Sequence, residues 1–301
     1  MIDPLVTAVA AGILGSAVAG PVMASRLDVM PARSRRRAEW LLVAGALLLA
    51  LIAARVPSLV WALAVLPGLV TYLAFRTVLA STFVSLLPAY FVIGHLTQSW
   101  PMHRPETALD RVVPLDPSWV FVYGSLYTVI LLLPLFVIRD RTLFKRLLQA
   151  QLAVMIVSYL GFLLYPTIAP RVEGGTPATF AEWALQLVYA LDQPYGCFPS
   201  LHVAYSFVSA FACFRVHRGI GIAAAAWAGL IALSTLFTKQ HYAVDAIAGA
   251  ALAGVTYPVF LRGYARDRVE ERDRRLAPRR ALGAVAVYVA MVVGFWLAYR
   301  A

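Results

Sequence analysis

Charge is scarce in this chain. Asp, Glu, Lys and Arg make up 14% of its 301 residues, hydrophobic residues make up 61%, and the mean hydropathy is +0.76. A soluble domain carries about 25% charged and about 45–50% apolar residues. A soluble globular core is therefore excluded, and an integral, polytopic membrane protein is expected. Cysteine is scarcer still. Cys197 and Cys213 are the only two, too few for a zinc pattern or a disulfide framework. Lysine is nearly absent: 24 of the 26 cations are arginine, and the exceptions are Lys145 and Lys239. There is no fixed-period repeat and no low-complexity tract. The first apolar stretch lacks a positively charged flank and runs long enough to span, so no cleavable signal peptide is expected there.

What is present is a series of long apolar runs. A spanning helix needs about 20 apolar residues, with a range of roughly 17–25. Ten candidates fit: 5–24, 40–55, 57–75, 77–95, 118–137, 147–165, 202–214, 220–237, 243–261 and 282–299. Two are short, 40–55 and 202–214, and the second must borrow residues from the motif before it. The connectors fall into two sets. Segments 25–39, Arg76, 138–146, 215–219 and 262–281 hold 20 Lys/Arg, whereas the other set holds six: Arg55, Arg104, Arg111, Arg171, Lys239 and Arg300. The positive-inside rule makes the first set cytoplasmic. The net charge of +11 thus reads as orientation, with contact to anionic lipid headgroups as the other use of the basic runs. It does not read as a nucleic-acid footprint. The long connectors, 96–117 and 166–199, fall on the extracytoplasmic side, where they can form a lid. Run 179–191, with Trp183 as an anchor, reads as a short interfacial helix. Segment 262–281 reads as a solvated helix or linker.

Two polar stretches interrupt the apolar pattern on that side: Gly196-Cys197-Phe198-Pro199-Ser200-Leu201-His202 and Lys239-Gln240-His241-Tyr242-Ala243-Val244-Asp245. Groups this costly at a membrane boundary usually do chemistry or line a polar path. If a helix begins near 241, His241 and Asp245 lie four apart on one face. A carboxylate there fixes the imidazole tautomer and leaves the other nitrogen as nucleophile or base. Pro199 suits the first position of a helix, whose unpaired N–H groups and dipole favour an anion such as phosphate. His202, Lys239 and Arg171 fall on the same side. This inventory suits phosphoryl transfer, in which positioning and charge neutralisation dominate. Other readings stay open. His241 with Asp245 can be a structural pair. His202, His241 and Asp245 can be a two-His-one-carboxylate metal site. Arg171 can snorkel to the interface.

Pro-Ser-Leu-His at 199–202 and His-x-x-x-Asp at 241–245 resemble the second and third motifs of the type 2 phosphatidic acid phosphatase superfamily. Ser234 matches the serine of the third motif, and Thr235 stands where its arginine belongs. Of the first motif only Arg171 is a candidate match; Leu164 and Val172 replace its lysine and proline. Tyr165-Pro166-Thr167, Pro170-Arg171, Phe198 to His202, Gln240-His241-Tyr242 and the acidic-Pro-Trp segment within Asp110 to Tyr127 are similar to the inositol phosphorylceramide synthase branch. The resemblance covers roughly 110–262. It implies an all-α membrane helix bundle, one domain over 1–301. A six-helix core at 110–262 would be preceded by accessory helices at 1–96 and followed by a basic linker and last helix at 263–301. It implies catalysis by His202, His241 and Asp245, with Arg171, Ser200 and Lys239 on the phosphate. No metal and no cofactor are implied. The substrate would be a phospholipid or polyprenyl phosphate, with a polyol or lipid alcohol as acceptor, or water if the protein is a phosphatase. The site would face out of a bacterial plasma membrane. A transporter or assembly factor that kept the fold is the non-enzymatic alternative, and the intact His202, His241 and Asp245 argue against it.

The charge asymmetry yields a test. A cysteine introduced by Gly174→Cys in a Cys197→Ser background should react with a membrane-impermeant thiol reagent in intact cells. Labelling only after permeabilisation would reverse the orientation.

Overall fold

The computed structural model describes residues 78–126, 131–172 and 175–300. The expected spans 5–24, 40–55 and 57–75 lie outside these residues. Two compact units are distinguished, residues 1–98 with 190–193, and residues 99–189 with 194–301. In the first, the expected span 77–95 is two short helices, α1 (Val78–Leu86) and α2 (Ala89–Thr97). They part at Leu87-Pro88, where the pyrrolidine ring removes a helical N–H and crowds the preceding turn. Within this unit Tyr90 donates its hydroxyl to Asp192 Oδ1 at 2.8 Å, and Gln193 Nε2 donates to the Tyr90 carbonyl at 2.7 Å.

The second unit holds both polar stretches. Its helices are α3 (Ala108–Val112), α4 (Val120–Ser125), α5 (Leu131–Val137), α6 (Arg141–Leu164), α7 (Phe180–Leu191, whose last two residues lie in the first unit), α8 (Leu201–Val216), α9 (Arg218–Phe237), α10 (Ala243–Thr256) and α11 (Glu271–Arg300). Among the described residues there is no β-strand, only two isolated bridges. The all-α expectation is met there. Among the described residues four helical stretches are long and apolar enough to cross a bilayer: Arg141–Leu164, Arg218–Phe237, Ala243–Leu261 and Glu271–Arg300. Their outward faces stay apolar, with Leu160, Ile222, Ile247, Val255 and Leu297 all exposed. Water would penalise such faces and lipid would not. The last helix begins at Glu271, so of the two readings of 262–281 the helical one holds from Glu271 on, and Arg272 to Arg280 run straight into the final span.

Helix α8 is the axis of this unit. It packs against α9, α10, α6 and α5, and its small residues Ala204, Ser206, Ser209, Ala210, Ala212 and Cys213 are buried. At 16 residues it is shorter than a bilayer is thick, which is tolerable because its surroundings are protein. His217 alone joins α8 to α9. It ends one helix and caps the next, its Nδ1 accepting from the Ile220 amide at 3.3 Å. So tight a turn brings α9 onto the backbone of α8. A Cβ at Gly221 would lie 2.3 Å from Phe214 Cα.

Connector 96–117 ends on the far end of α9. Asp116 N donates to the Phe237 carbonyl at 3.0 Å, and Trp119 stacks on Phe237 with centroids 4.6 Å apart. Run 179–191 forms helix as expected, opened by Glu182, whose carboxylate accepts from the Ala178 and Thr179 amides.

The Gly221 contact predicts that Gly221→Ala destabilises the protein. Overpacking of this kind costs about 1–3 kcal/mol, so thermal unfolding in detergent should shift down by several degrees. An unchanged midpoint would show that the α8–α9 hairpin relaxes freely.

Candidate active site

Three loops meet at the starts of α8 and α10. Residues 167–169 run beside 194–198: Gly196 N donates to Thr167 O at 3.1 Å, Ala169 N to Pro194 O at 2.7 Å, and Thr167 Oγ1 accepts from Cys197 N and Phe198 N. His103 joins the same loop, donating its amide to Pro166 O at 2.8 Å. This clip delivers Ser200, not Pro199, to the cap of α8. Ser200 has extended backbone and its Oγ accepts from Val203 N. Pro199 therefore precedes the cap, and His202 is the second residue of the helix, inside its first turn.

The α9–α10 turn places His241. Lys239 adopts φ 53°, a left-handed conformation that costs a non-glycine residue roughly 1–2 kcal/mol. The reversal lets Gln240 N and His241 N both donate to Thr235 O, at 2.9 and 3.2 Å. Helix α10 then starts at Ala243, with Tyr242 as its extended cap. His241 thus lies before the helix, and the shared helical face expected for His241 and Asp245 does not form. They meet across the cap instead. Asp245 Oδ2 accepts from Tyr242 N at 2.9 Å and lies 3.4 Å from His241 Nδ1.

On the other edge of the ring, His241 Nε2 lies 3.1 Å from Ser200 Oγ and 3.1 Å from His202 Nδ1. Asp245 and His241 are buried, Ser200 fully so, and His202 is half-buried against the Tyr123 ring. The structure thus brings His202, His241, Asp245 and Ser200 together. One ring nitrogen faces a carboxylate, and the other faces a helix start, a hydroxyl and a second imidazole.

A cavity of about 250 Å³ opens beside His241, lined by Arg104, Glu106, Asp110, Pro170, Arg171, Leu236, Lys239, His241 and Tyr242. Arg171 is in its wall, with Nε and Nη2 on Gln240 Oε1 at 3.0 and 2.6 Å, Nη1 on Tyr189 O at 3.0 Å, and the guanidinium 4.8 Å over the Tyr189 ring. That placement does not fit snorkelling. Lys239 also lines the cavity, yet its ammonium donates to Val113 O at 2.6 Å and Asp110 O at 3.2 Å. It ties connector 96–117 to the turn. Burial pushes the Tyr242 hydroxyl up to about 12, against a smaller lowering by Arg104, so Tyr242 stays a neutral donor. Arg104, Glu106, Asp110, Gln240 and Tyr242 received no site role from the sequence. The signal available was charge density: Arg104, Glu106, Asp110 and Arg111 crowd into eight residues of a charge-poor chain.

Asp245 and His202 address opposite nitrogens of His241. A single ion cannot take both edges of one ring, so the two-His-one-carboxylate set does not converge. A different donor set does: Cys197, His241 and Asp245 each bring one ligand atom within 4.8 Å of the others.

A family model described as the PAP2 superfamily matches residues 103–259, just over half of the chain and the part that carries every residue above. No curated protein and no solved structure matches the chain at a significant level.

The two helix starts are in close contact, since a Cβ at Gly249 would lie 2.4 Å from Ser200 O, whereas one at Gly254 would meet nothing within 4 Å. Gly249→Ala should therefore lower turnover at least ~10-fold, because misplacements of about 1 Å can cost 10²-fold. Gly254→Ala, on the same helix, should be silent. Equal activities would sever the site from this contact.

Proposed function

The chain belongs to the PAP2 superfamily, and on that premise we propose that it moves a phospho-headgroup from a lipid donor to an alcohol acceptor, through a phosphohistidine, at the extracytoplasmic membrane face. The observation that carries this is the polarity of His241. Asp245 sits at Nδ1, so that Nδ1–H···carboxylate pairing leaves the Nε2 lone pair directed at Ser200 and His202. The Nδ1 contact, at 3.4 Å, is long. Catalytic hydrogen bonds commonly tighten only when substrate binds.

In this mechanism Nε2 attacks phosphorus, an N–P bond forms, and the P–O bond to the donor alcohol breaks. His202 gives a proton to that leaving oxygen. His202 then takes a proton from the acceptor hydroxyl, whose oxygen attacks phosphorus as the N–P bond breaks. The first-turn N–H groups of α8, with Ser200, hold the phosphate oxygens, and Arg171 neutralises charge from the cavity wall. Lys239 acts by holding the turn and adds its charge nearby. A Brønsted relay between side chains suffices, so no metal is required.

Connector 103–113 supports transfer over hydrolysis. Lys239 ties it down through two carbonyls, and Ala243 N donates to Asp110 Oδ1 at 2.8 Å. A fixed cover keeps water off a phosphohistidine. The second reading is a lipid phosphatase acting on phosphatidic acid, phosphatidylglycerol phosphate or a polyprenyl phosphate. The exposure of Arg104 and Glu106, both in the cavity wall, favours it.

His241→Ala, His202→Ala and Asp245→Asn should each lower turnover at least ~10²-fold with expression intact. Labelled donor should leave acid-labile phosphate on the wild type and none on His241→Gln. Vanadate should inhibit and chelators should not. Near-normal turnover in His241→Gln would refute the phosphohistidine. Release of label chiefly as free phosphate, whatever alcohol is supplied, would establish the phosphatase.

A further inference from the structure

We propose that Cys197, His241 and Asp245 form a site for a thiophilic divalent cation, zinc being the natural one, and that the bound ion silences the protein. The three donor atoms lie within 4.8 Å of one another, and all three residues are buried. Tetrahedral zinc, with bonds of about 2.0–2.3 Å, holds its ligand atoms about 3.3–3.8 Å apart. His241 Nδ1 and Asp245 Oδ2 are already 3.4 Å apart. Contraction by about 1 Å on the cysteine side completes the set, and a water can take the fourth position.

A second observation points to the same ligand. Asp245 Oδ1 is buried with no hydrogen-bond partner, and His241 Nδ1 has only the long 3.4 Å contact to Asp245 Oδ2. A buried, unsatisfied carboxylate oxygen beside a loosely held ring nitrogen suits a cation, which would displace the Nδ1 proton and satisfy both at once. Thiolate, imidazole and carboxylate together favour zinc or cadmium over magnesium or calcium. Of the three, His241 lines the cavity.

The chemistry of silencing follows from the tautomer. Neutral imidazole has one lone pair in the ring plane and one N–H. An ion on Nδ1 takes that lone pair, so the proton must sit on Nε2. The nitrogen facing Ser200 and His202 then has no pair with which to attack. Cys197 ionises as it binds and its proton leaves to solvent. Binding rests on the donors alone; silencing rests on the reading of His241 as the nucleophile.

The test uses the purified full chain in detergent with Cd²⁺ as probe. Wild type and Cys213→Ser should show cadmium–thiolate charge-transfer absorption that Zn²⁺ displaces. Cys197→Ser and Cys197→Ala should not show it, and His241→Ala should bind at least ~10-fold more weakly, since even outer-shell partners contribute 10–100-fold. In activity assays, Cys197→Ser should keep wild-type turnover in chelator while needing at least ~10-fold more zinc for inhibition. Absence of the absorption in wild type, or its persistence in both Cys197 variants, overturns the site. Absorption that depends on Cys197 with turnover unaffected by zinc keeps the site and overturns the nucleophile assignment instead.

Discussion

The amide of Ser200 donates to the carbonyl of Asp245 at 3.0 Å, and Gly249 lets that contact close. Two helix starts are thereby fastened to each other. Helix starts carry unpaired N–H groups and positive dipole ends, so bringing two together in an apolar surround is unfavourable unless something negative sits between them. Asp245 is that group on the protein's side, and an anionic substrate is what the arrangement would hold on the other. Because Asp245 supplies both the carbonyl and the carboxylate, a shift of α10 moves Ser200, His202 and His241 together. The separations between the three side chains are then set by backbone, not by side-chain choice.

The same economy governs the α9–α10 turn. Lys239 carries a left-handed backbone that glycine would adopt without cost. Its ammonium meets two carbonyls of connector 96–117, so one residue both reverses the chain and closes the cover. Glycine would do only the first. Strained backbone at a site is informative when it is observed and not presumed, and here it turns Gln240 onto Arg171 and His241 to the cavity.

Much of the fold was legible in the sequence, because apolar run length is a strong signal in a chain with 14% charge. The runs over 147–165, 220–237 and 243–261 correspond to α6, α9 and α10. The breaks were less legible. Pro88 divides one expected span, and within 262–281, legible only as solvated helix or linker, the point where α11 starts was not marked, because charged residues fit both. At the site, residue types were legible and register was not. His241 and Asp245 are four apart, which reads as one helical face. The capping role of Tyr242 puts the helix start between them. Arg104 and Glu106 were missed because their place in the cavity depends on a connector folding back over 60 residues of sequence, through His103 and Thr167.

The departure at Thr235 has a physical counterpart. The resemblance puts an arginine there, and Thr235 instead buries its side chain against Ala232 O while its carbonyl accepts two amides of the turn. A guanidinium reaches the cavity from a different segment. Gln240 holds Arg171 by two hydrogen bonds to one amide oxygen, and the Tyr189 ring supports its face. Gln240 is bonded to Thr235 through its own amide. The position that lacks the charge thus anchors Gln240, which in turn holds Arg171 in the cavity wall. Delivered this way, the guanidinium is held in the cavity wall by the Gln240 amide oxygen, the Tyr189 carbonyl and the Tyr189 ring.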